Sequence, residues 1–157
     1  MVSDAPARTL VPNPRGAMSI KVDGNGRIKL PARFLEYLAQ LDDKRIYATL
    51  INDSARLYMN GSWERNLDLL KPWPRKRRAL DLVAARYGQD LELDDAGRIT
   101  LPHALRKKLN LENQQIYFVF HDDVALIYTE AQYEAAMAAA EQELAGFLSE
   151  AEDLGFV

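Results

Sequence analysis

The sequence predicts an α+β fold built from two copies of one unit, because two sets of residues recur at a nearly constant separation. Segment 23–31 returns as segment 94–102, and six residue types match 71 positions apart: Asp, Gly, Arg, Ile, Leu and Pro. Later in the chain the separation is 70, as in the pairs Ile46 and Ile116, Tyr47 and Tyr117, Asp53 and Asp123, Tyr58 and Tyr128, and Trp63 and Tyr133. This period is too long for a solenoid repeat of about 20–50 residues and suits a duplicated half-domain.

The length and composition set the limits of the fold. A chain of 157 residues is one domain's worth and needs no cross-link to hold its core. It has no cysteine, which excludes disulfides and thiolate metal sites and is compatible with a reducing cytosol. We expect no membrane span and no signal peptide. The prolines of segment 1–17 predict an extended arm that is a candidate for disorder, followed by half-units at 18–88 and 89–157.

The first unit begins with a predicted β-hairpin. Residues 19–22 and 27–30 alternate between polar and apolar side chains, and Asp, Gly and Asn at 23–26 supply turn residues between them. The alternation directs Ile28 and Leu30 inward. It places Arg27 and Lys29 on the opposite, solvated face.

The remainder of the first unit follows a ββαββ plan. Pro31 is predicted at the first position of a helix whose apolar residues are three and four apart. Strands are predicted at 45–51 and 55–59. Ser62 is a candidate N-cap for a further helix that starts at Trp63.

A basic segment at 71–78 joins the two units and has three interpretations. It contains Trp73 between two prolines and four consecutive basic residues at 75–78. The segment could be a nucleic-acid contact, an import-like basic patch, or the solvated first turns of a helix. The third interpretation is favoured, because the apolar stripe of a helix and a terminal Gly88 follow it.

The second unit repeats the plan and ends in a long helix. Its strands are predicted at 90–93, 98–101, 115–120 and 124–128, with Pro102 opening the intervening helix. Residues 129–132 resemble a capping box at the start of the final helix. Apolar residues follow at helical spacing: Tyr133, Met137, Ala140, Leu144, and Phe147 or Leu148. This stripe either packs on its own domain or forms a seam with a neighbouring subunit.

Charge is divided unequally between the two halves. Residues 1–88 carry 16 basic and 9 acidic side chains, whereas residues 89–157 carry 4 basic and 14 acidic ones. The basic half suggests a polyanionic partner such as nucleic acid. Two differently charged solvated surfaces, or halves that attract one another, would give the same pattern.

No arrangement for enzyme chemistry stands out. His103 and His121 occupy non-matching positions of the repeat, and no glycine-rich nucleotide loop, metalloprotease motif or nucleophile elbow is present. We therefore expect a non-enzyme with no cofactor, no metal and no small-molecule substrate.

The twice-repeated Asp-x-x-x-Arg motif followed by Leu-Pro resembles the MraZ family of the SpoVT/AbrB superfamily, over about residues 17–148. The resemblance implies a pseudo-twofold double-split β-barrel of two ββαββ half-units with a C-terminal helix, and assembly into a ring-like homo-oligomer. It implies a cytoplasmic, nucleoid-associated transcriptional regulator. Such a regulator binds repeated DNA elements upstream of the division and cell-wall gene cluster. The arm before Met18 is longer than the family pattern.

Carried onto this sequence, the resemblance makes Arg27 and Arg98 candidate DNA contacts, with Asp23, Gly26, Asp94 and Gly97 bracing the two turns. Lys29, Arg33 and Lys21 are further candidates near the first turn. The alternative for each Asp–Arg pair is a local salt bridge with no partner, and the acidic surroundings of Arg98 favour it more there.

Two other functional classes stay open. The chain could be a protein-binding or assembly module of the same fold, acting through its acidic final helix. It could also be an antitoxin-like AbrB protein, although those usually carry one motif per chain.

Overall fold

The computed structural model describes residues 10–157, and over this range the chain is an α+β protein with eight strands and five helices. The expectation for the N-terminal arm falls largely on residues 1–9, which lie outside the described residues. The described helices include none that is both long enough and apolar enough to cross a membrane.

The order of strands and helices in the first half of the chain recurs in the second half. The first unit comprises β1 (Met18–Lys21), β2 (Arg27–Lys29), α1 (Ala32–Ala39), β3 (Ile46–Ile51), β4 (Ser54–Tyr58) and α2 (Ser62–Asp68). Helix α3 (Pro74–Ala85) connects the units. The second unit comprises β5 (Gln89–Leu91), β6 (Arg98–Thr100), α4 (His103–Leu109), β7 (Gln115–His121), β8 (Val124–Thr129) and α5 (Glu130–Asp153).

The strands form two antiparallel sheets, and both are shared between the units. The larger sheet has the order β1-β7-β8-β4-β3-β5, and the smaller is a ribbon of β2 and β6. In the large sheet β1 pairs with β7 of the second unit, β5 pairs with β3 of the first, and β4 and β8 meet in the middle. The two units are therefore interleaved.

The predicted hairpin of residues 19–22 and 27–30 is wrong in its pairing. A turn does form, since Asp23 N donates to Arg27 O at 3.0 Å and Gly26 N to Asp23 O at 3.1 Å. Beyond it the strands part, with β1 entering the large sheet and β2 pairing with β6. The corresponding strands of the second unit part in the same way. Two strands of three or four residues make only a marginal hairpin, and each instead pairs with a strand of the other unit.

The first residues of three helices differ slightly from the predicted ones. Pro31 and Pro102 are the residues before α1 and α4, in extended conformations, and not the first helical residues. Ser62 lies inside α2, after a left-handed Gly61, and its hydroxyl donates to the carbonyl of Asp123. The capping box of α5 is confirmed, with Thr129 Oγ1 accepting from Gln132 N and Gln132 Oε1 accepting from Thr129 N.

The core lies on one face of the large sheet. Ile46, Ala48 and Leu50 of β3 are buried in it, together with side chains of α1, α4 and the ribbon. The alternate residue Thr49 points to the opposite face, where its hydroxyl donates to Ala84 O of α3 at 2.7 Å. Trp63 of α2 also lies there, with its ring 5.0 Å from that of Tyr47.

The start of α5 in the second unit also lies on the face of the large sheet opposite the core. Tyr133 stacks on Tyr117 of β7 with ring centroids 4.3 Å apart. The neighbouring strand residues Ile116 and Phe118 are in the core, so Tyr117 lies on the opposite face of the sheet. Helices α2 and α3 and the start of α5 thus form an outer layer, and the large sheet separates this layer from the ribbon.

Core burial predicts that substituting alanine for two different leucines will change the free energy of unfolding by very different amounts. Leu57, on the central strand β4, is 0 % exposed, whereas Leu69 after α2 is 71 % exposed. Leu57→Ala should lower the free energy of unfolding by about 2–5 kcal/mol, because it leaves a cavity at the centre of the sheet. Leu69→Ala, the matched control, should change it by less than about 0.5 kcal/mol. Urea titrations followed by circular dichroism measure both, and equal effects would contradict this arrangement of the core.

Candidate nucleic-acid interface

The two sequence motifs form the same turn. Asp23 Oδ1 accepts from the backbone N of Asn25 at 2.8 Å and of Arg27 at 2.9 Å, while Arg27 Nε donates to Asp23 Oδ2 at 3.1 Å. Gly26 closes the turn with φ of +77°, which glycine adopts without steric cost. The turn is therefore shaped by one carboxylate that binds both the backbone and the side chain of the following arginine.

The second turn has nearly identical geometry. Asp94 Oδ1 accepts from Ala96 N and Arg98 N, each at 2.9 Å, and Arg98 Nε donates to Asp94 Oδ2 at 3.0 Å. Gly97 has φ of +76°. The acidic surroundings of Arg98 thus do not alter the local structure of its turn.

The hydrogen bonds lower the pKa of both turn carboxyls. The largest cause is the bond from the backbone N of the motif arginine, which lowers the pKa of Asp23 and of Asp94, and the arginine side chain lowers each further. Desolvation raises each pKa without cancelling these effects. The carboxylates therefore stay ionised at neutral pH and hold the arginines in place.

The ribbon brings the two motifs together on one surface. Arg27 lies opposite Thr100, Ile28 opposite Ile99, and Lys29 opposite Arg98. The two isoleucines are buried in the core. The alternate residues Arg27, Lys29, Arg98 and Thr100 point the other way and form what we call the ribbon face. Three cations thus share a short two-stranded surface, a proximity that the sequence alone did not predict for Arg98.

Within residues 10–157, the hydrogen bonds made by the side chains of Arg27 and Arg98 use only Nε, toward the turn aspartates. Each arginine side chain is 38 % exposed. The terminal amino groups of both guanidinium groups can therefore donate to an external acceptor while the aspartates fix their orientation.

Each turn rests on the other unit. Leu30 N donates to Gly97 O, and Leu101 N donates to Gly26 O, both at 2.9 Å. A Cβ at Gly26 would overlap the guanidinium of Arg106, and one at Gly97 would lie 3.0 Å from Leu35 Cδ1. The two tips are therefore locked by helices α4 and α1 respectively.

Arg106 is a supporting residue that the sequence analysis missed. Its side chain is only 13 % exposed. Nε donates to Leu101 O at 2.8 Å, and Nη1 donates to Glu112 Oε1 at 2.7 Å. The available signal was its position in the repeat, since Arg106 lies 71 residues after Leu35, a member of the apolar stripe of the first helix.

Two predicted site residues belong to other elements. Lys21 lies on β1 in the large sheet, opposite Gln115. Arg33, in α1, donates from Nη1 to the carbonyl of Arg15. The ribbon face therefore contains Arg27, Lys29 and Arg98 of the predicted set, and it does not contain Lys21 or Arg33.

Asp123 has a role that its position in a turn did not reveal. It is fully buried, and its Oδ1 accepts from Asn13 Nδ2 at 2.9 Å and from the hydroxyl of Tyr37 at 2.6 Å. Its Oδ2 accepts from Arg65 Nη2 and Asn60 Nδ2, each at 3.2 Å. This carboxylate joins residues 10–17 to α1, α2 and the β7–β8 turn. Its partner in the repeat, Asp53, is exposed.

The remaining candidates belong to elements other than the β2–β6 ribbon. His103 and His121 are exposed, and in the described part of the chain no group of three or more His, Asp or Glu side chains could hold a metal ion. Arg75, Lys76, Arg77 and Arg78 are exposed at the start of α3, with Lys76 Nζ 5.0 Å from the centre of the Trp73 ring. This is the arrangement expected of a solvated first turn.

Comparisons with known proteins found one matching family model and several similar proteins. A family model described as "MraZ protein, putative antitoxin-like" matches residues 86–153. A protein of Marinomonas sp. named "Transcriptional regulator MraZ" is 36 % identical over 105 residues, which cover 64 % of this chain and 70 % of the relative. Proteins of the same name from Shewanella oneidensis and Thiobacillus denitrificans are 37 % identical over 105 residues and 28 % identical over 130 residues. Those matches cover 64 % and 80 % of this chain, and 69 % and 87 % of the relatives.

The fit between Gly26 and Arg106 can be tested with one substitution. Gly26→Ala should lower the free energy of unfolding by more than about 1 kcal/mol, because a Cβ is disfavoured at this positive φ and overlaps the guanidinium. Gly146→Ala is the matched control, since nothing lies within 4 Å of its added Cβ. It should leave the urea midpoint unchanged or raise it, because alanine favours a helix. A midpoint for Gly26→Ala that equals the wild-type value would rule out this packing.

The turn carboxyls predict a specific response to acid. Both Asp23 and Asp94 should titrate below the ordinary value of 3.8 when followed by carboxyl NMR. Since the folded pKa is depressed, the stabilisation they give is present above the ordinary pKa and is lost as the pH falls through the folded one. Arg27→Ala should raise the pKa of Asp23 only part of the way, because the backbone bond from residue 27 remains. Asp94 is the internal control and should not move; a full return of Asp23 to its ordinary value would contradict the order of causes.

Proposed function

The chain belongs to the MraZ family of transcriptional regulators, and from that premise we propose that it is a sequence-specific DNA-binding regulator whose ribbon face contacts the DNA. The observation that supports this proposal is the gathering of Arg27, Lys29 and Arg98 on one exposed two-stranded ribbon. Lys21 and Arg33 are assigned no direct role in that contact.

The shape and chemistry of the ribbon suit a DNA groove. The major groove admits a two-stranded β-ribbon, and arginine can donate two parallel hydrogen bonds to a guanine edge or to a phosphate. Of the guanidinium nitrogens, Asp23 and Asp94 each bind only the Nε, and so orient the free end of the arginine outward at little entropic cost. Lys29, which neighbours both arginines, adds a positive charge that can bind a phosphate group. Contacts of this kind make the affinity fall with salt.

We further propose that the fold is the pseudo-twofold double-split barrel that the sequence resemblance implied. The strand pairings support it. Ile28 pairs with Ile99 at the centre of the ribbon, and Arg56 pairs with Leu126 at the centre of the large sheet. Both pairs join equivalent positions of the repeat, as a twofold axis between them would require. The units proposed are 18–88 and 89–157.

The proposed regulator acts as a cytoplasmic, nucleoid-associated homo-oligomer, and a ring is the form we favour. One ribbon face offers few contacts, whereas an assembly that sets several faces against repeated DNA elements gains affinity through effective concentration. The target we propose is a set of repeated elements upstream of the division and cell-wall gene cluster. No enzymatic activity, cofactor or small-molecule substrate forms part of the proposal.

A second candidate function rests on α5. All of this helix is described, and none of its 24 residues is fully buried. In this alternative the chain is an assembly or protein-binding module that acts through α5, and each Asp–Arg pair only braces its turn.

Binding to DNA separates the two candidates. Fluorescence anisotropy should show a preference for DNA from upstream of the chain's own gene over scrambled DNA, and the affinity should fall as salt rises. Arg27→Ala should weaken specific binding by about tenfold to a hundredfold, because one base or phosphate contact is lost. The variant must first match wild type in its circular dichroism and its oligomer size.

Arg45→Ala provides the matched control. Arg45 also binds a nearby carboxylate, donating from Nε to Asp43 Oδ1 at 2.9 Å, but it lies outside the ribbon. Its removal should leave the affinity for DNA unchanged. Equal losses for the two arginine variants would remove the ribbon face from the proposal, and no preference over scrambled DNA from a correctly assembled protein would remove the DNA-binding function.

A further inference from the structure

Helix α5 presents a long apolar stripe that is largely exposed beyond Tyr133, whose ring stacks on Tyr117. Beyond Tyr133 its side chains are exposed or only partly buried. Apolar residues recur alternately four and three positions apart along one side, in the pattern of a coiled-coil seam: Tyr133, Met137, Ala140, Leu144, Phe147 and Ala151. The large exposed members of this set, Met137, Leu144 and Phe147, are of the kind that a partner helix would cover.

Acidic residues flank the stripe on both sides. Glu134 and Glu141 follow two of its positions, Glu143 and Glu150 precede two others, and α5 contains no Lys or Arg. In a coiled coil the residues at these flanking positions contact the partner helix, and their charges determine which helix can pair. Two α5 helices would each bring acidic side chains and no cation, so like charge disfavours self-pairing. The pattern instead favours an apolar helix face bordered by cations.

Helix α3 has an exposed basic face with one large apolar side chain on it. Its inner side is fixed by Ala84, which is fully buried against β3. On the outer side Leu82 is 76 % exposed. Arg78 and Arg86 lie four residues before and after Leu82, and Arg75 lies seven before it, so all three arginines share its face. α3 contains one acidic residue, Asp81.

DNA bound at the ribbon face would leave this outer face of α3 free. The large sheet lies between α3 and the ribbon, because Thr49 contacts α3 from one face of β3 while Ile46 and Ala48 join the core on the other. A straight duplex bound at the ribbon face would therefore not reach Arg75 or Arg78.

We propose that the outer face of α3, formed by Arg75, Arg78, Leu82 and Arg86, binds α5 of a second copy of this chain. Leu82 packs between Leu144 and Phe147 of the neighbouring copy, and its arginines meet the acidic borders of the stripe at Glu141 and Glu143. The two faces differ, so the contact is heterologous: each copy offers one α3 and one α5, and the contacts close into a ring or continue as a chain. This inference rests on the proposed homo-oligomer and names its interface.

A reversal of charge on each side tests the proposal. One variant carries Arg75→Glu and Arg78→Glu, a second carries Glu141→Lys and Glu143→Lys, and a third combines all four substitutions. All are exposed helical positions filled by good helix formers, so the helical content should not change. Oligomer size is measured by light scattering after gel filtration, at about 0.1 M salt, where the Debye length is about 10 Å.

Wild type should be an oligomer, and each double variant should lose assembly, because like charges then face one another across the contact. The fourfold variant should recover the wild-type size, and so should an equimolar mixture of the two double variants, in which complementary faces meet between different copies. A monomeric wild type, assembly that survives either double reversal, or loss without recovery in the fourfold variant would overturn the proposal.

The outcome is separable from that of the DNA proposal. Binding to a duplex with a single DNA element is measured for the same variants. If assembly fails to follow the charge reversals while Arg27→Ala still weakens specific DNA binding, the interface is wrong and the regulator function stands. If assembly follows the reversals but no variant or wild type prefers its own upstream DNA, the interface stands and the DNA-binding function falls.

Discussion

Two backbone hydrogen bonds hold each motif in place by tying it to the other half of the chain. Leu30 N donates to Gly97 O and Leu101 N to Gly26 O, so the return strand of each turn finds its support in the opposite unit. These bonds flank the β2–β6 ribbon and continue the exchange that pairs β1 with β7 and β5 with β3. The core, the ribbon and the placement of α1 and α4 all depend on this exchange. A unit without its partner would leave short strands without a ladder.

The same exchange creates the candidate site and also makes its two halves unequal. The cations of both motifs come to lie side by side only because β2 and β6 pair. The supports beneath them then diverge: the first turn rests on the guanidinium of Arg106, and the second on the aliphatic side chain of Leu35. The equivalent positions Asp123 and Asp53 also differ. Asp123 is buried and accepts several hydrogen bonds, whereas Asp53 is exposed. The two units share one backbone plan, while equivalent positions in them have different structural roles.

The sequence predicted those features that depend on local order. The Asp–Gly turns, the helices and the outward face of Arg27 and Lys29 follow from patterns within a few residues, and the repeat follows from a comparison of the two halves of the sequence. The partners of β1 and β2 did not, because periodicity reports which face of a strand is buried and carries no information on its neighbour. The buried role of Asp123 depends on Asn13, Tyr37 and Arg65, which are distant in sequence. The placement of Arg98 beside Lys29 was missed for the same reason, since it follows from strand pairing between the units.

The interleaving also constrains how the chain can fold as it leaves the ribosome. Strand β1 is among the first described elements to be synthesised, yet its partner β7 begins about a hundred residues later, at Gln115. The first unit therefore emerges with β1, β2 and β4 lacking at least one neighbour, and its sheet edges stay open until β8 has been made. A chain halted within α4 would expose apolar strands that have no partner of their own. Completion of the fold is thus a late event in synthesis, and the nascent first half is the stage at which protection from aggregation matters most.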